Sequence, residues 1–526
     1  MGGRTPLLCY NHRMPNHSAL NWLRRHPKPV AVICSLLVSG YFLALGIAPN
    51  DDAYTYVRVA DILLNDGLSA AYAHYPWATY SVLFAQLAPF GVNLFVAGLL
   101  FNALLYALLA YCFIELVSEL TRAWPSEQRD SALLYAILTI TLYPQLNEFR
   151  SMLIRDVGFW AFSLIGLLQL IKLARPVTQR IEFWKQGIGF CLALACAFAF
   201  RAEALVYLIF SPLLLLTLRS DNGGRRIGDA IRLAALIVGS VSAIAIACLL
   251  AGFDLFALLS KFLSTYTPFV EAAFTNDEVQ RSTLSASLFE DNAEEHLSLL
   301  MIVGLFGTLI ASLATAIGFP YASTLSIAAL RYRLAKVFSV DSNALHLIVG
   351  FALINFGILI GFILMTRFVS ARYGMLLSLL VILFIPLILA RARRPAQLIH
   401  TPSLPTWSVG LLFFYCFVDS FYSFGDRKEF LNEAVAWIQQ SDSSAPFISN
   451  RHALAYASGR VENYEKSPRT FSADELRATK VGTEIAVELN AQLRDSISAL
   501  EQEGFFERIA AFSGEGEVRI LILRRL

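Results

Sequence analysis

Charged residues are scarce in this 526-residue sequence. They make up 16% of it, against about a quarter in a typical soluble protein. Hydrophobic residues make up 56%, and the mean hydropathy is +0.56. These proportions exclude a water-soluble globule and indicate a protein that crosses a membrane several times.

Several other features are also missing. The net charge is only +2 and no basic face is concentrated along the chain, which excludes a nucleic-acid partner. No polar loop carries a pair of cysteines, so neither a disulfide framework nor a zinc site is indicated. Heptad runs, solenoid repeats and a nucleotide-binding glycine loop are absent as well. The sequence therefore indicates no cofactor and leaves dependence on a divalent metal open.

Long apolar runs are what the sequence does contain. Eleven of them approach the roughly 20 residues that a bilayer-spanning helix needs. They lie near residues 30–47, 92–117, 131–143, 157–173, 187–200, 204–218, 230–252, 297–317, 346–366, 373–390 and 407–418. The run from Pro320 to Leu330 is ambiguous between a re-entrant segment and an additional half-span. The predicted fold is mainly α, a polytopic membrane protein with about eleven transmembrane helices.

Basic residues predict the orientation of these helices, because Lys and Arg are retained on the cytoplasmic side. The N-terminal tail and the loops on its side hold 21 of them, and the opposite loops hold 8. We therefore expect a cytoplasmic tail over residues 1–29 and a transmembrane module over 30–418, with outer loops at 48–91 and 253–296. The segment 419–526 is then an extracytoplasmic domain, and the protein lies in the cytoplasmic membrane.

The C-terminal segment has the composition of a soluble domain. An amphipathic helix is predicted over Arg427–Gln440, and FERIAAFSGEGEVRILIL near the C-terminus is predicted to form a β-hairpin. These elements indicate a small α/β or α+β domain.

The predicted outer loops place their few arginines beside carboxylates or aromatic residues at the ends of apolar runs. The groups are Arg155–Asp156 in QLNEFRSMLIRD, Arg201 and Glu203 in FRAEAL, and Arg372–Tyr373 in MTRFVSARYG. Local ion pairs, or anchoring at the membrane interface for the last group, are the structural alternatives to a role in binding.

The stretch APNDDAYTYVRVADILLNDG, residues 48–67, predicts a helix at the outer membrane interface. One face holds Ala53, Tyr56, Val57, Ala60 and Leu64, and the other holds Asp51, Thr55, Arg58 and Asp61. Asp51 or Asp52 could serve only to cap this helix, although Asn50 is already a suitable cap.

These motifs, in this order, resemble the GT-C glycosyltransferases, including the protein O-mannosyltransferase and lipid A aminoarabinose transferase families. Asp51-Asp52-Ala53-Tyr54 resembles the acidic pair after the first span of that superfamily, with Asp in place of the usual Glu. HYPWATYSVLFAQLAPFG, the Arg155-Asp156 pair, RAEAL, ARYGMLL and FISNRHALAYASGR also look like landmarks of the superfamily.

The resemblance implies transfer of a sugar from a polyprenyl-phosphate donor to an acceptor hydroxyl or phosphate on a protein, lipid or glycan, by a single inverting displacement. It implies catalytic roles for Asp51, the likelier base, and for Asp52 and Asp156. Donor or phosphate contacts are expected from Arg155, Arg201, Glu203, Arg372, Tyr373 and Arg58. His74 and Tyr54 are candidates for substrate contact, and no metal ligand is assigned.

Two other functions fit a polytopic membrane protein. A transporter or flippase for a lipid-linked glycan would place ionisable groups near the bilayer midplane, commonly between internal repeats, whereas these apolar runs have almost none. An O-antigen polymerase or ligase also uses outer arginines, but it would lack the acidic pair directly after the first span.

The basic-residue asymmetry predicts the side of the membrane on which the chain ends. A reporter enzyme fused after Leu526 should be active outside the cytoplasm. The same reporter fused within the loop that follows the second predicted span, near Arg122, should be active inside. Cytoplasmic activity of the C-terminal fusion would contradict the eleven-helix topology.

Overall fold

The computed structural model describes residues 25–175, 180–218, 226–250, 297–331, 340–392, 406–422, 429–514 and 516–526, with a few isolated residues besides. The predicted tail over 1–29 lies mostly outside the described residues. The predicted outer loop at 253–296 lies almost entirely outside them.

Helices occupy all eleven predicted apolar runs. The membrane module contains α1 Pro27–Ala44, α2 Asp51–Asp66, α3 Leu68–His74, α4 Thr79–Ala85, α5 Leu94–Leu120, α6 Ser126–Thr141, α7 Pro144–Glu148, α8 Asp156–Leu173, α9 Arg180–Phe200, α10 Ala204–Thr217, α11 Ile227–Leu250, α12 Leu297–Ile317, α13 Phe319–Arg331, α14 Ser342–Thr366, α15 Ala371–Ile382, α16 Phe384–Ala392 and α17 Thr406–Phe421. The prediction of a mainly α polytopic membrane protein is confirmed.

Eight spans in the described part of the chain are long and apolar enough to cross a membrane. They are α1, α5, α8, α9, α11, α12, α14, and α15 continued by α16. The runs near 131–143, 204–218 and 407–418 form the shorter helices α6, α10 and α17, of 16, 14 and 16 residues. The ambiguous run at 320–330 forms α13, which has 13 residues.

Glycines allow α8 and α9 to approach each other closely. A methyl group at Gly158 would overlap the buried ring of Phe200, and one at Gly166 would lie 2.9 Å from Leu194 Cδ2. Small residues at such contacts let two membrane helices pack through their backbones. The same approach brings Asp156, the first residue of α8, to Arg201, which directly follows α9.

The C-terminal domain contains a four-stranded sheet with helices on both faces. Its elements are α18 Glu429–Gln440, β1 Phe447–Ser449, α19 His452–Ser458, α20 Ala473–Arg477, β2 Glu484–Glu488, α21 Ala491–Gln502, β3 Phe506–Gly514 and β4 Glu517–Arg525. The strand order is β1-β2-β4-β3, with β1 parallel to β2 and the other neighbours antiparallel. The predicted amphipathic helix and terminal hairpin are therefore present as α18 and β3–β4.

Helix α2 packs between the other helices of the membrane module and the C-terminal domain. Ala53, Tyr56, Val57 and Ala60 are buried on the membrane-module side, as predicted. Leu64 was predicted on the same face but is 49% exposed. Its neighbours Ile62 and Leu63 pack against the core at this end of α2 instead.

The contact of Gly158 with Phe200 predicts the effect of a single methyl group. Gly158→Ala should lower the stability of the protein by about 1–3 kcal/mol, the usual cost of overpacking, and should separate α8 from α9. Thermal unfolding in detergent measures this effect. Gly357→Ala is the matched control, because a methyl group there would meet no atom of the described residues within 4 Å. Equal unfolding temperatures for the two variants would contradict the packing argument.

Candidate functional site

A polar cavity of about 280 Å³ lies where the ends of several membrane helices meet. We call it the arginine cavity. Its lining consists of Asp52, Thr55, Tyr56, Tyr75, Arg155, Asp156, Arg201, Glu203, Phe362, Arg372 and Tyr373. Seven of the residues predicted for the site are therefore brought together from four separate parts of the chain. The cavity contains three arginines and three carboxylates.

Arg201 is the central cation of the arginine cavity. It forms ion pairs with both Asp156 and Glu203, and its Nε lies 3.2 Å from each oxygen of Glu203. Burial lowers the pKa of Arg201, but Glu203 and Asp156 outweigh this and hold that pKa well above its usual value. Burial raises the pKa of Glu203, and Arg201 outweighs this to hold it below its usual value. These groups are therefore charged across the physiological pH range.

Arg372 connects the acidic pair to this network. Its Nη1 lies 2.6 Å from Asp52 Oδ2, and its Nη2 donates a hydrogen bond of 3.3 Å to the Tyr373 hydroxyl. The Tyr373 ring lies between two guanidinium groups, with its centroid 4.7 Å from Arg201 Cζ and 5.2 Å from Arg372 Cζ. Stacking of this kind holds the planar groups in a fixed orientation.

Arg155 differs from the other two arginines. Its guanidinium lies over the Trp77 ring, with Cζ 4.9 Å from the ring centroid. Its Nη1 is buried and has no hydrogen-bond partner among the described residues. A buried donor without a partner costs free energy, so this atom is suited to bind a ligand that accepts hydrogen bonds.

Two asparagines hold the segment that carries Arg155 and Asp156. Asn50 accepts a hydrogen bond of 2.8 Å from the Leu153 backbone N–H and donates one of 3.3 Å to the Leu153 carbonyl. Asn102 donates to the carbonyls of Met152 and Ile154 at 3.2 and 3.3 Å. Asn50 was considered as a side-chain cap of α2, and this is wrong, because its amide makes no capping hydrogen bond.

Asp51 faces a different cavity from its neighbour Asp52. This second cavity, of about 510 Å³, lies between the ends of α1 and α17 and the C-terminal domain. We call it the junction cavity. Both oxygens of Asp51 lie 3.4 Å from Arg451 Nη1, and Arg451 also pairs with Glu488. Successive residues of an α-helix point about 100° apart, which explains how adjacent carboxylates reach separate cavities.

Three predicted site residues lie outside both cavities. Arg58 lies 3.8 Å from the exposed Glu462, and His74 Nε2 lies 3.2 Å from Glu465. Tyr54 packs against aromatic residues of the C-terminal domain, with its ring 5.7 Å from that of Tyr456. In this structure these side chains contribute to the contact of α2 and α3 with the C-terminal domain.

Sequence reasoning missed Arg451 and the aromatic partners of Arg155. Arg451 lies in FISNRHALAYASGR, and its separation of 400 residues from Asp51 gave no sign of their contact. Tyr75 and Trp77 lie in HYPWATYSVLFAQLAPFG, where only His74 was considered. In the described part of the chain, no group of three or more His, Cys, Asp or Glu side chains is arranged to hold a metal ion.

The arrangement of the arginine cavity suits an anion at the end of an apolar molecule. One guanidinium group can donate two parallel hydrogen bonds to two oxygens of the same phosphate. A narrow cavity of about 20 Å³ adjoins it and shares Arg201, Glu203, Phe362 and Tyr373. The rest of its lining, from α8 and α14, is mostly apolar: Phe159, Trp160, Asn355, Ile358 and Leu359.

No protein-family model matches the sequence, and no curated protein matches it significantly. Among solved structures, the chain is similar to AglB, the oligosaccharyltransferase of Archaeoglobus fulgidus, in complex with an inhibitory peptide and a dolichol-phosphate. The TM-score is 0.47 and the identity 10%, over 95% of this chain and 74% of that one. For the apo form of that enzyme the TM-score is 0.42 and the identity 11%, over 85% of this chain and 65% of that one.

The chain is also similar to ArnT from Cupriavidus metallidurans bound to undecaprenyl phosphate, with a TM-score of 0.41 and 12% identity, over 96% of this chain and 98% of that one. AglB and ArnT are GT-C glycosyltransferases, the superfamily that the sequence motifs resemble. At these TM-scores and identities the similarity assigns no role to any residue of this chain.

Arg372 uses both of its terminal nitrogens, one for Asp52 and one for the Tyr373 hydroxyl. Binding of a phosphate at this position should therefore require a guanidinium group and not merely a positive charge. Arg372→Lys should weaken binding of undecaprenyl phosphate about tenfold, or about 1.4 kcal/mol, because a single ammonium cannot hold Asp52 and a phosphate oxygen in one plane. Microscale thermophoresis of the purified protein measures this affinity. Arg367→Lys, a change outside the lining of the arginine cavity, is the control. Unchanged binding by the Arg372 variant would return that residue to an anchoring role.

Proposed function

We propose that the chain is a membrane glycosyltransferase that moves a sugar from a polyprenyl-phosphate donor to an acceptor hydroxyl. One observation carries the proposal: two adjacent residues at the start of α2 line two different cavities, Asp51 the junction cavity and Asp52 the arginine cavity. A group-transfer enzyme needs two substrate sites that share a boundary. The cytoplasmic membrane, with the C-terminal domain on its outer face, is the proposed location.

The donor binds in the arginine cavity. Arg155, Arg201 and Arg372 hold its phosphate, and the unpartnered Nη1 of Arg155 supplies a hydrogen bond that no described protein group accepts. The narrow cavity between α8 and α14 has about 20 Å³ in this structure, which is too small for an isoprene unit. The first part of the isoprenoid chain therefore enters along its apolar residues only after these helices separate slightly. Asp52, Asp156 and Glu203 keep the arginines in place when no phosphate is bound, since they neutralise the buried charge.

The transfer is a single displacement with inversion at the anomeric carbon. The acceptor oxygen attacks that carbon as its proton passes to the Asp51 carboxylate, and the bond from the anomeric carbon to the phosphate oxygen breaks. The products are the glycosylated acceptor and polyprenyl phosphate. The arginines stabilise the negative charge that develops on the leaving phosphate, through hydrogen bonds strengthened in a partly dry cavity.

Each acidic residue has a distinct task in this proposal. Asp51 is the base, because it lines the junction cavity from which the acceptor comes. Asp52 is held by Arg372 at 2.6 Å and orients that arginine towards the phosphate. Asp156 holds Arg201 from the opposite side of the cavity.

Replacement of Asp51 by Asn tests the role of base. Asp51 is the first residue of α2 and not its cap, and Asn keeps the size of the side chain but cannot accept the proton. Asp51→Asn should leave undecaprenyl phosphate binding within about threefold of the native value and slow sugar transfer at least about a hundredfold. Transfer is measured by release of undecaprenyl phosphate from a radiolabelled lipid-linked sugar in native membranes, which supply the acceptor.

Asp66→Asn, at the last residue of the same helix, is the matched control and should transfer sugar at the native rate. Full activity of Asp51→Asn together with loss of activity in Asp52→Asn would assign the base to Asp52. Full activity of Asp51→Asn, Asp52→Asn and Asp156→Asn would exclude the glycosyltransferase proposal.

A further inference from the structure

The junction cavity differs from the arginine cavity in the charge of its lining. Among the described residues that line it, the charged ones are Asp51, Glu429 and Arg451. Arg451 is already engaged by Asp51 and by Glu488, which lies outside the lining. The described lining of the junction cavity therefore has one more carboxylate than arginine, whereas the arginine cavity has three of each.

The lining of the junction cavity combines apolar and polar residues from different elements. Tyr41 and Leu45 at the end of α1 and Phe421 at the end of α17 contribute apolar surface, and the Tyr41 hydroxyl donates to the Phe421 carbonyl at 3.2 Å. The C-terminal domain contributes Glu429 and Asn432 of α18. Tyr41 and Leu45 are each 40% exposed.

We infer that the acceptor is a membrane amphiphile with a neutral or cationic headgroup that offers a hydroxyl, and that it binds in the junction cavity. Its alkyl part contacts the ends of α1 and α17, and its headgroup reaches Asp51 and Asn432. The volume of about 510 Å³ is within the usual range of roughly 300–1,000 Å³ for small-molecule sites. The inference rests on the proposed function for the reaction, but not for the binding.

The two carboxylates of the lining disfavour a phosphate headgroup for the acceptor. A phosphate beside Asp51 and Glu429 would bring like charges together in a partly buried space, where they repel more strongly than in water. Asp51 also needs a hydroxyl proton to remove, which a phosphate ionised at neutral pH does not offer. The two cavities thereby sort two lipids by charge: the phosphate-bearing donor to the arginines and the neutral or cationic acceptor to the carboxylates.

Photolabelling tests this inference without relying on transfer. The probes are a diazirine-bearing dodecyl glucoside and the matching dodecyl phosphate, each added to the full chain in lipid nanodiscs. Mass spectrometry then locates the labelled residues. We expect the glucoside to label residues that line the junction cavity about tenfold more than the phosphate does, which corresponds to about 1.4 kcal/mol.

Variants with a larger side chain test whether the label reports the cavity itself. Leu45→Trp and Ile47→Trp, which fill the cavity, should each reduce labelling by the glucoside at least about fivefold, because the added ring occupies the space of the alkyl chain. Leu37→Trp is the control, since Leu37 lies on α1, which these two residues follow, and is 68% exposed and outside the cavity lining. Glu429→Lys should increase labelling by the phosphate probe.

Equal or stronger labelling by the phosphate probe would overturn the inference, as would labelling that the two cavity-filling variants leave unchanged. The outcome is independent of the proposed function. If labelling is as expected while Asp51→Asn, Asp52→Asn and Asp156→Asn are all fully active, the lipid site is supported and the glycosyltransferase proposal is excluded. Failed labelling with an inactive Asp51→Asn would keep the enzyme and assign another class of acceptor.

Discussion

The ion pair between Asp156 and Arg201 is the interaction on which the arrangement of the site depends. Both side chains are buried at the ends of apolar helices, where an unpaired charge costs several kcal/mol. The pair forms only because Gly158 lets α8 approach Phe200, the residue before Arg201. The ion pair fixes the start of α8 beside the end of α9. Glu203, Tyr373 and Arg372 are then arranged around the same guanidinium.

The position of α2 depends on that arrangement and explains the two separate cavities. Asn50 binds both backbone groups of Leu153, so the residue before the acidic pair is joined to the segment before Arg155. With its start held there, the helix directs Asp52 to Arg372 and Asp51 to Arg451. One helix end therefore presents two carboxylates to two different cavities, and each carboxylate is paired with an arginine there. The C-terminal domain takes part in this site through Arg451.

The difference in charge between the cavities gives the proposed reaction its direction. The proposal assigns phosphate to the cavity with three guanidinium groups, one of which has a buried donor without a partner among the described residues. It assigns an uncharged or cationic headgroup to the cavity where carboxylates outnumber arginines. Charged groups in a membrane protein are costly unless they are paired or functional. Those of the arginine cavity lie at helix ends, and Glu115 and Glu119 near the end of α5 are paired with Lys28 and Arg175. The buried surfaces between the helices are mainly apolar.

The sequence by itself determined the membrane helices, the terminal hairpin and the grouping of charges at helix ends, because these follow from local periodicity and hydropathy. Its motifs also singled out seven of the residues that line the arginine cavity. Only the tertiary structure decided that Asp51 and Asp52 face different cavities, that Asn50 binds Leu153 rather than capping α2, and that Arg58, His74 and Tyr54 hold the C-terminal domain. These contacts join residues far apart in the chain, and the direction of each side chain depends on how whole helices pack. A local sequence pattern does not specify how the helices pack.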